Sequence, residues 1–181
     1  MSKIYVDEIL PKENAQISAP NLQLPAGSVI QVVEGTTSVR ATNDTTSFTD
    51  TGLTASITPS SSSNKILVQV TQPISTYRNS TYGDQIKYIL TDGNNNVVWN
   101  ASGGGHFGII GAPSSGLLVI SWMMSFQRLL SPATTNEITY KTRFATRHSG
   151  FSVQANSDGH TQVSSTDYAT EASMILMEIA Q

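Results

Sequence analysis

Cysteine is absent from this 181-residue chain, which removes disulfides, thiolate metal sites, iron–sulfur clusters and cysteine nucleophiles from consideration. Charge is scarce as well. Asp, Glu, Lys and Arg together make up 13% of the residues, about half of the roughly 25% found in ordinary globular chains. A net charge of −3 leaves no broad cationic field, so neither a nucleic-acid backbone nor an acidic membrane surface is an expected partner. Long apolar runs are missing too: the most apolar stretch, Leu117 to Met124, is broken by Ser121 and falls far short of the ~20 residues of a spanning helix. Membrane insertion is therefore not expected. The start of the chain, Met1 to Ile9, carries Asp7 and Glu8 where a secretory signal would need an apolar core.

What fills the space left by charge is Ser and Thr, roughly a quarter of the chain. Glu, Lys and Arg suit helical surfaces because their unbranched side chains keep rotamer freedom there, whereas Thr and Val lose less on a pleated strand. The pattern along the chain agrees. Ser28–Val33, Leu53–Ile57, Lys65–Val70, Ile86–Leu90, Val97–Trp99, Leu117–Phe126, Ile138–Thr146 and Ser173–Ile179 read as strands separated by turn signals. Asp92-Gly93-Asn94 closes a hairpin, Ser102–Gly108 is a glycine-rich loop, and Asn156–Gly159 is a last turn. In Ile138–Thr146 the residues Ile138, Tyr140 and Phe144 share one face, while Lys141, Arg143 and the following Arg147 share the other. Eight to ten strands with no amphipathic helix predict an all-β chain, an antiparallel β-sandwich of jelly-roll type. No fixed-period repeat is present.

Residues 1–27 stand apart, with Pro11, Pro20 and Pro25 and the isolated apolar residues Ile4, Val6, Ile9, Ile17, Leu22 and Leu24. A segment of this size cannot build its own core. Its Ile and Leu content suits an extended arm lying on a partner or on copies of itself, with a reach of about 80 Å at ~3.3 Å per residue. The expected division is an arm over 1–27 and a sandwich over 28–181.

The motifs of catalysis are weak. His106, His148 and His160 show no metal-ligand spacing, so no metal is expected, although a threefold axis could gather three copies of His106. Asp92-Gly93-Asn94-Asn95-Asn96 starts like a calcium loop but has Val97 where the glycine belongs and Gly103 where the bidentate acid belongs. The run Gly103–Gly108 lacks the Gly-Lys-Ser/Thr ending of a phosphate loop, and no G-x-S-x-G elbow occurs. Asp84, Asp158 and Asp167 are acids in turn or loop contexts, where exposure keeps them ionised and unsuited to donate a proton to a glycosidic oxygen. No enzyme activity and no cofactor are expected. Aromatics beside polar groups point instead to binding: Tyr77 and Tyr82 bracket Arg78-Asn79-Ser80-Thr81, and Trp99 precedes the glycine run that holds His106 and Phe107. An apolar platform rimmed by directional polar groups suits a saccharide or a protein surface. Tyr77, Arg78, Tyr82, Trp99, His106 and Phe107 are the candidate receptor-contact residues.

Four segments, in order, resemble the fibre and structural proteins of tailed phages of marine bacteria, including cyanophages. They are Ile4-Tyr5-Val6-Asp7-Glu8-Ile9; Leu22 to Val33; Asp50-Thr51-Gly52-Leu53 through Pro59 and on through Ser63-Asn64-Lys65-Ile66-Leu67-Val68; and Ser173 to Ala180. The first resembles the V-D-x-I units at the start of such fibres and the others the sandwich that follows them. The resemblance implies a homotrimer located in the virion and made in the host cytoplasm. It also implies that the arm contacts other virion proteins and that distal loops meet a host cell-surface glycan or protein. A short tail fibre or tail-associated spike is the expected role, with a capsid decoration protein or head fibre as the alternative. Residues 72–135 have no counterpart in the resemblance, which is where a surface that varies among relatives would sit.

Overall fold

A computed structural model describes residues 24–78, 85–100, 106–108, 118–149, 151–157 and 170–181. Among them eleven strands form: β1 (Val29–Thr37), β2 (Ala41–Asn43), β3 (Thr49–Ile57), β4 (Lys65–Arg78), β5 (Gln85–Asp92), β6 (Val97–Asn100), β7 (His106–Gly108), β8 (Leu118–Leu130), β9 (Ile138–Thr146), β10 (Ser152–Ala155) and β11 (Ala172–Ile179). No helix occurs among the described residues. One sheet runs β1-β11-β4, with β8 on the far edge of β4, and is extended by β10 and β2 along the second half of β4; the other runs β3-β9-β5-β6, with β7 also on β5. Set aside the three short strands β2, β7 and β10. The eight that remain then read 1-11-4-8 and 3-9-5-6, all antiparallel, which is the two-Greek-key order of a jelly roll. The predicted fold class holds.

The strands form because their apolar residues alternate. In β11 Ala172, Met174 and Leu176 are buried while Ser173, Ile175 and Met177 face outward, and in β3 Leu53, Ala55 and Ile57 repeat that pattern. Two core clusters result. The first joins Leu53, Ile57, Ile66, Val68, Val70, Leu90, Tyr140, Met174 and Leu176, and the second Ile74, Ile86, Tyr88, Met124, Phe144 and Val153. They lie one after the other along the 14-residue β4. Between them sits a buried polar layer. The Gln72 amide oxygen accepts from the Tyr88 and Thr142 hydroxyls, and the Gln72 amide nitrogen donates to Asn156 Oδ1 at 2.7 Å. Asn156 Nδ2 then donates to the carbonyls of Val39 (2.7 Å) and Thr51 (2.8 Å), while the Thr51 and Thr142 hydroxyls meet at 2.5 Å. Such a network costs nothing only when every group is paired, and it admits one register of the two sheets.

Several boundaries differ from the sequence reading. β4 was expected to stop at Val70 but runs on through Pro73 to Arg78. The reason is geometric. The Pro73 carbonyl accepts from Asn156 N at 2.8 Å, so the nitrogen of Pro73 faces the same side, away from β8. On that side β4 changes neighbour, from β11 up to Thr71 to β10 from Ile74, so the missing donor falls in the gap. The glycine-rich loop is also corrected: His106–Gly108 forms β7, paired with Gln85, Ile86 and Lys87. β2 and β10 were not anticipated, being short and polar. Two glycines are required. Gly52 has φ of +88° at the bulge where the β3–β9 register shifts, and a Cβ on Gly35 would stand 2.0 Å from the Thr54 carbonyl oxygen, where β1 crosses β3.

Candidate functional site

The sandwich has two distinct ends. At one end lie the start of β1, the end of β11, the start of β4 and the end of β3. The chain enters there: Gly27 N donates to the Ala180 carbonyl and Ala180 N to that of Ser28, both at 2.9 Å. At the other end lie the last residues of β4, where Tyr77 pairs with Val119 and Ser152 and Arg78 with Leu118, and the first residues of β5, where Ile86 pairs with Phe107 and Thr146. Fourteen residues at ~3.3 Å place these ends about 45 Å apart.

The candidate residues divide accordingly. The backbones of Tyr77, Arg78, His106 and Phe107 gather at the end far from the chain's entry. Trp99 does not join them: it pairs with Leu90 in β6, and its ring stacks on Phe126 of β8 with centroids 4.1 Å apart and an angle of 22°. The Arg128 guanidinium covers the Trp99 ring at 4.7 Å. Trp99 thus closes one open side of the sandwich between the edges of the two sheets and touches both core clusters. Tyr82 and the arm residues Ile4, Val6, Ile9, Ile17 and Leu22 lie outside the described residues, whereas Leu24 is described and 44% exposed. Asp84, Asp158, Asp167 and His160 also lie outside them.

The carboxylates of Asp50, Asp92 and Glu178 are engaged in structure. Asp92 braces its hairpin by accepting from Asn94 N and Asn96 N, each at 2.9 Å, and from Asn96 Nδ2 at 2.8 Å. The Asn96 amide, aided by those backbone donors and the Lys141 charge, holds the Asp92 carboxyl below its ordinary range and outweighs the opposing effect of burial. The turn reading of this segment is thereby met by a full set of donors on Asp92. Asp50 bridges Lys141 (2.9 Å) and Arg143 (2.7 Å) on the outer face of β9. Burial and the nearby Asp92 charge push the Tyr140 hydroxyl up to about 12.

One cluster escaped the sequence reading. Glu178 is fully buried near the entry end, and its carboxylate accepts from Asn64 Nδ2 (2.6 Å), Gln31 Nε2 (2.6 Å), Ser60 N (2.7 Å) and Ser60 Oγ (2.7 Å). Burial alone would raise its pKa; the four donors outweigh that and hold it below the ordinary glutamate value. A signal existed, because Glu178 falls on the same alternation as Ala172, Met174 and Leu176 and so had to point inward. The clamp ties the loop of residues 59–64 to β11. Among the described residues, no group of three or more His, Asp or Glu is placed to hold a metal ion.

The outer face of the β1-β11-β4-β8 sheet is the other notable surface. Cross-strand register lines up Val32, Met177, Leu67 and Leu129 in one apolar ridge, with Val32 57% and Leu129 53% exposed. Two rows on, Thr36, Ser173, Thr71 and Ser125 form a line of small residues. There a trough of about 410 Å³ opens, walled by Gln69, Gln127 and Ile175.

No family model matches this chain, and no curated protein matches it. Among solved structures it is similar to infectious bursal disease virus of the Gx strain, at 11% identity and a TM-score of 0.38 over 91% of this chain and 42% of that one. It is likewise similar to the Gt strain of that virus, at 12% identity and a TM-score of 0.35 over 92% of this chain and 42% of that one. The chain thus spans about two-fifths of the length of the structures it matches.

Proposed function

We propose that this chain is a non-enzymatic component of a phage virion, a short tail fibre or tail-associated spike that works as a homotrimer and touches the host surface. The observation that carries the reading is the polarity of the jelly roll. The end at which Gly27 and Ser28 meet Ala180 and the end that gathers the Tyr77, Arg78, His106 and Phe107 backbones are separated by the whole length of β4. One end suits anchorage and the other contact. The resemblance of the four segments to phage fibre proteins supports the same assignment, and low affinity per copy would be raised by several copies on one particle.

Competition for adsorption tests it. Purified chain preincubated with host cells is expected to reduce phage adsorption several-fold. A Tyr77→Ala/Phe107→Ala variant with an unchanged melting temperature is expected to compete poorly. Equal competition by that variant, or none by the parent chain, contradicts host contact through this end.

A second reading, decoration of the capsid, is favoured by the short span of the domain, about 45 Å along its longest strand, which suits a knob on a shell.

A further inference from the structure

We propose that the outer face of the β1-β11-β4-β8 sheet is where copies of this chain meet, a second copy laying its ridge into the trough of the first. The inference rests on the reading of the chain as self-associating and names the surface that does it. Two observations favour an identical partner. The first is shape. The ridge Val32–Met177–Leu67–Leu129 and the trough at Thr71, Ser125 and Ser173 lie side by side on one face, separated by a single row, so each copy offers both the projection and the recess that its neighbour needs.

The second is charge. Among the described residues of the facing rows, the charged side chains are Glu34 and Lys65, one of each sign, with Glu34 held to Ser173 Oγ at 2.8 Å. A face that is neutral in sum and otherwise apolar or built of Gln, Ser and Thr repels no copy of itself, and depletion of charge marks the centre of an interface. Size fits as well. Four strands about 4.8 Å apart and some eight residues long project roughly 500 Å². That projection is about three-fifths of the ~800 Å² per partner of a standard interface.

The test is solution mass with a footprint. The parent chain is expected at a multiple of the single-chain 19.4 kDa, and Val32→Glu/Leu129→Glu, which places two charges on the apolar ridge that must be desolvated in the trough, is expected to fall to 19.4 kDa. Val97→Glu, on the other sheet and 56% exposed, is expected to keep the parent mass. Because the chain has no cysteine, Ser125→Cys in the trough and Asn94→Cys at the exposed hairpin each introduce one thiol, whose reaction with a bulky maleimide reads coverage even if the double variant fails to fold. Ser125→Cys is expected to react at least tenfold more slowly than Asn94→Cys in the oligomer. A parent oligomer that survives the double substitution, or a Ser125→Cys thiol that reacts as fast as Asn94→Cys, overturns this surface while leaving self-association standing. A protected thiol in a chain of 19.4 kDa means the face is covered by the chain's own arm, which overturns the second-copy proposal. An unprotected parent of 19.4 kDa overturns both the oligomer and the surface, and leaves the adsorption result to decide host contact.

Discussion

Glu178 is a carboxylate with no exposed surface and four donors around it, so its charge is held by hydrogen bonds and not by a cation. Its folded pKa lies below the ordinary glutamate value near 4.5. The stability it contributes is therefore fully present above that ordinary value and is lost as pH falls through the depressed folded value. Glu178→Gln turns an amide nitrogen toward groups that are themselves donors. It is expected to cost about 2–3 kcal/mol near neutral pH, which for a domain of this size lowers the melting temperature by roughly 5–10 °C. The same variant should also lose part of the parent's destabilisation below pH 4.5, so thermal melts across pH check both effects. Asn156 is the second such residue. Fully buried at φ of +60°, it serves Gln72, Val39 and Thr51 at once. Asn156→Ala leaves those partners unsatisfied and keeps an unfavourable backbone angle, so a loss of about 3 kcal/mol or more is expected in chemical denaturation.

At the scale of elements, β1 and β3 belong to different sheets and approach so closely that only glycine fits at position 35. Gly35→Ala must move backbone, because the atom it would meet is the Thr54 carbonyl oxygen, and it is expected to cost about 3 kcal/mol in denaturant melts. A small effect would mean that the two strands part easily. The long strands were legible because alternation is a local property: Ile138–Thr146 was read to its ends, and the inward side of β3 matches its apolar period. The second half of β4 was not legible, because a proline in a strand is harmless only where the neighbouring strand changes, and that depends on β10 and β11, more than 70 residues away in sequence. β7 was hidden by its glycines and by a ladder of three residues that exists only because β5 offers an edge. Those segments of the family resemblance that fall among the described residues are structural. Thr51, Gly52, Asn64 and Glu178 build the bulge, the polar layer and the clamp, so they mark the fold more than the contact surface.

For the whole molecule, a jelly roll with two distinct ends suits the proposed role on a virion. The candidate site was legible only in part. Tyr77, Arg78, His106 and Phe107 come from two separate stretches of sequence yet gather at one end, whereas Trp99, chosen on the same reasoning, stacks between the sheet edges on Phe126. Aromatic character beside polar residues cannot tell a binding platform from a seam, because both need a flat apolar ring with one wet side. The measurement that bears most directly on the central claim is the location of this chain on the phage particles to which we propose it belongs. Particles would be labelled with an antibody against the folded domain and imaged. The account predicts label at the tail. Label at lattice points on the head would contradict the tail assignment in favour of decoration, and purified particles that carry no label at all would contradict the virion role itself.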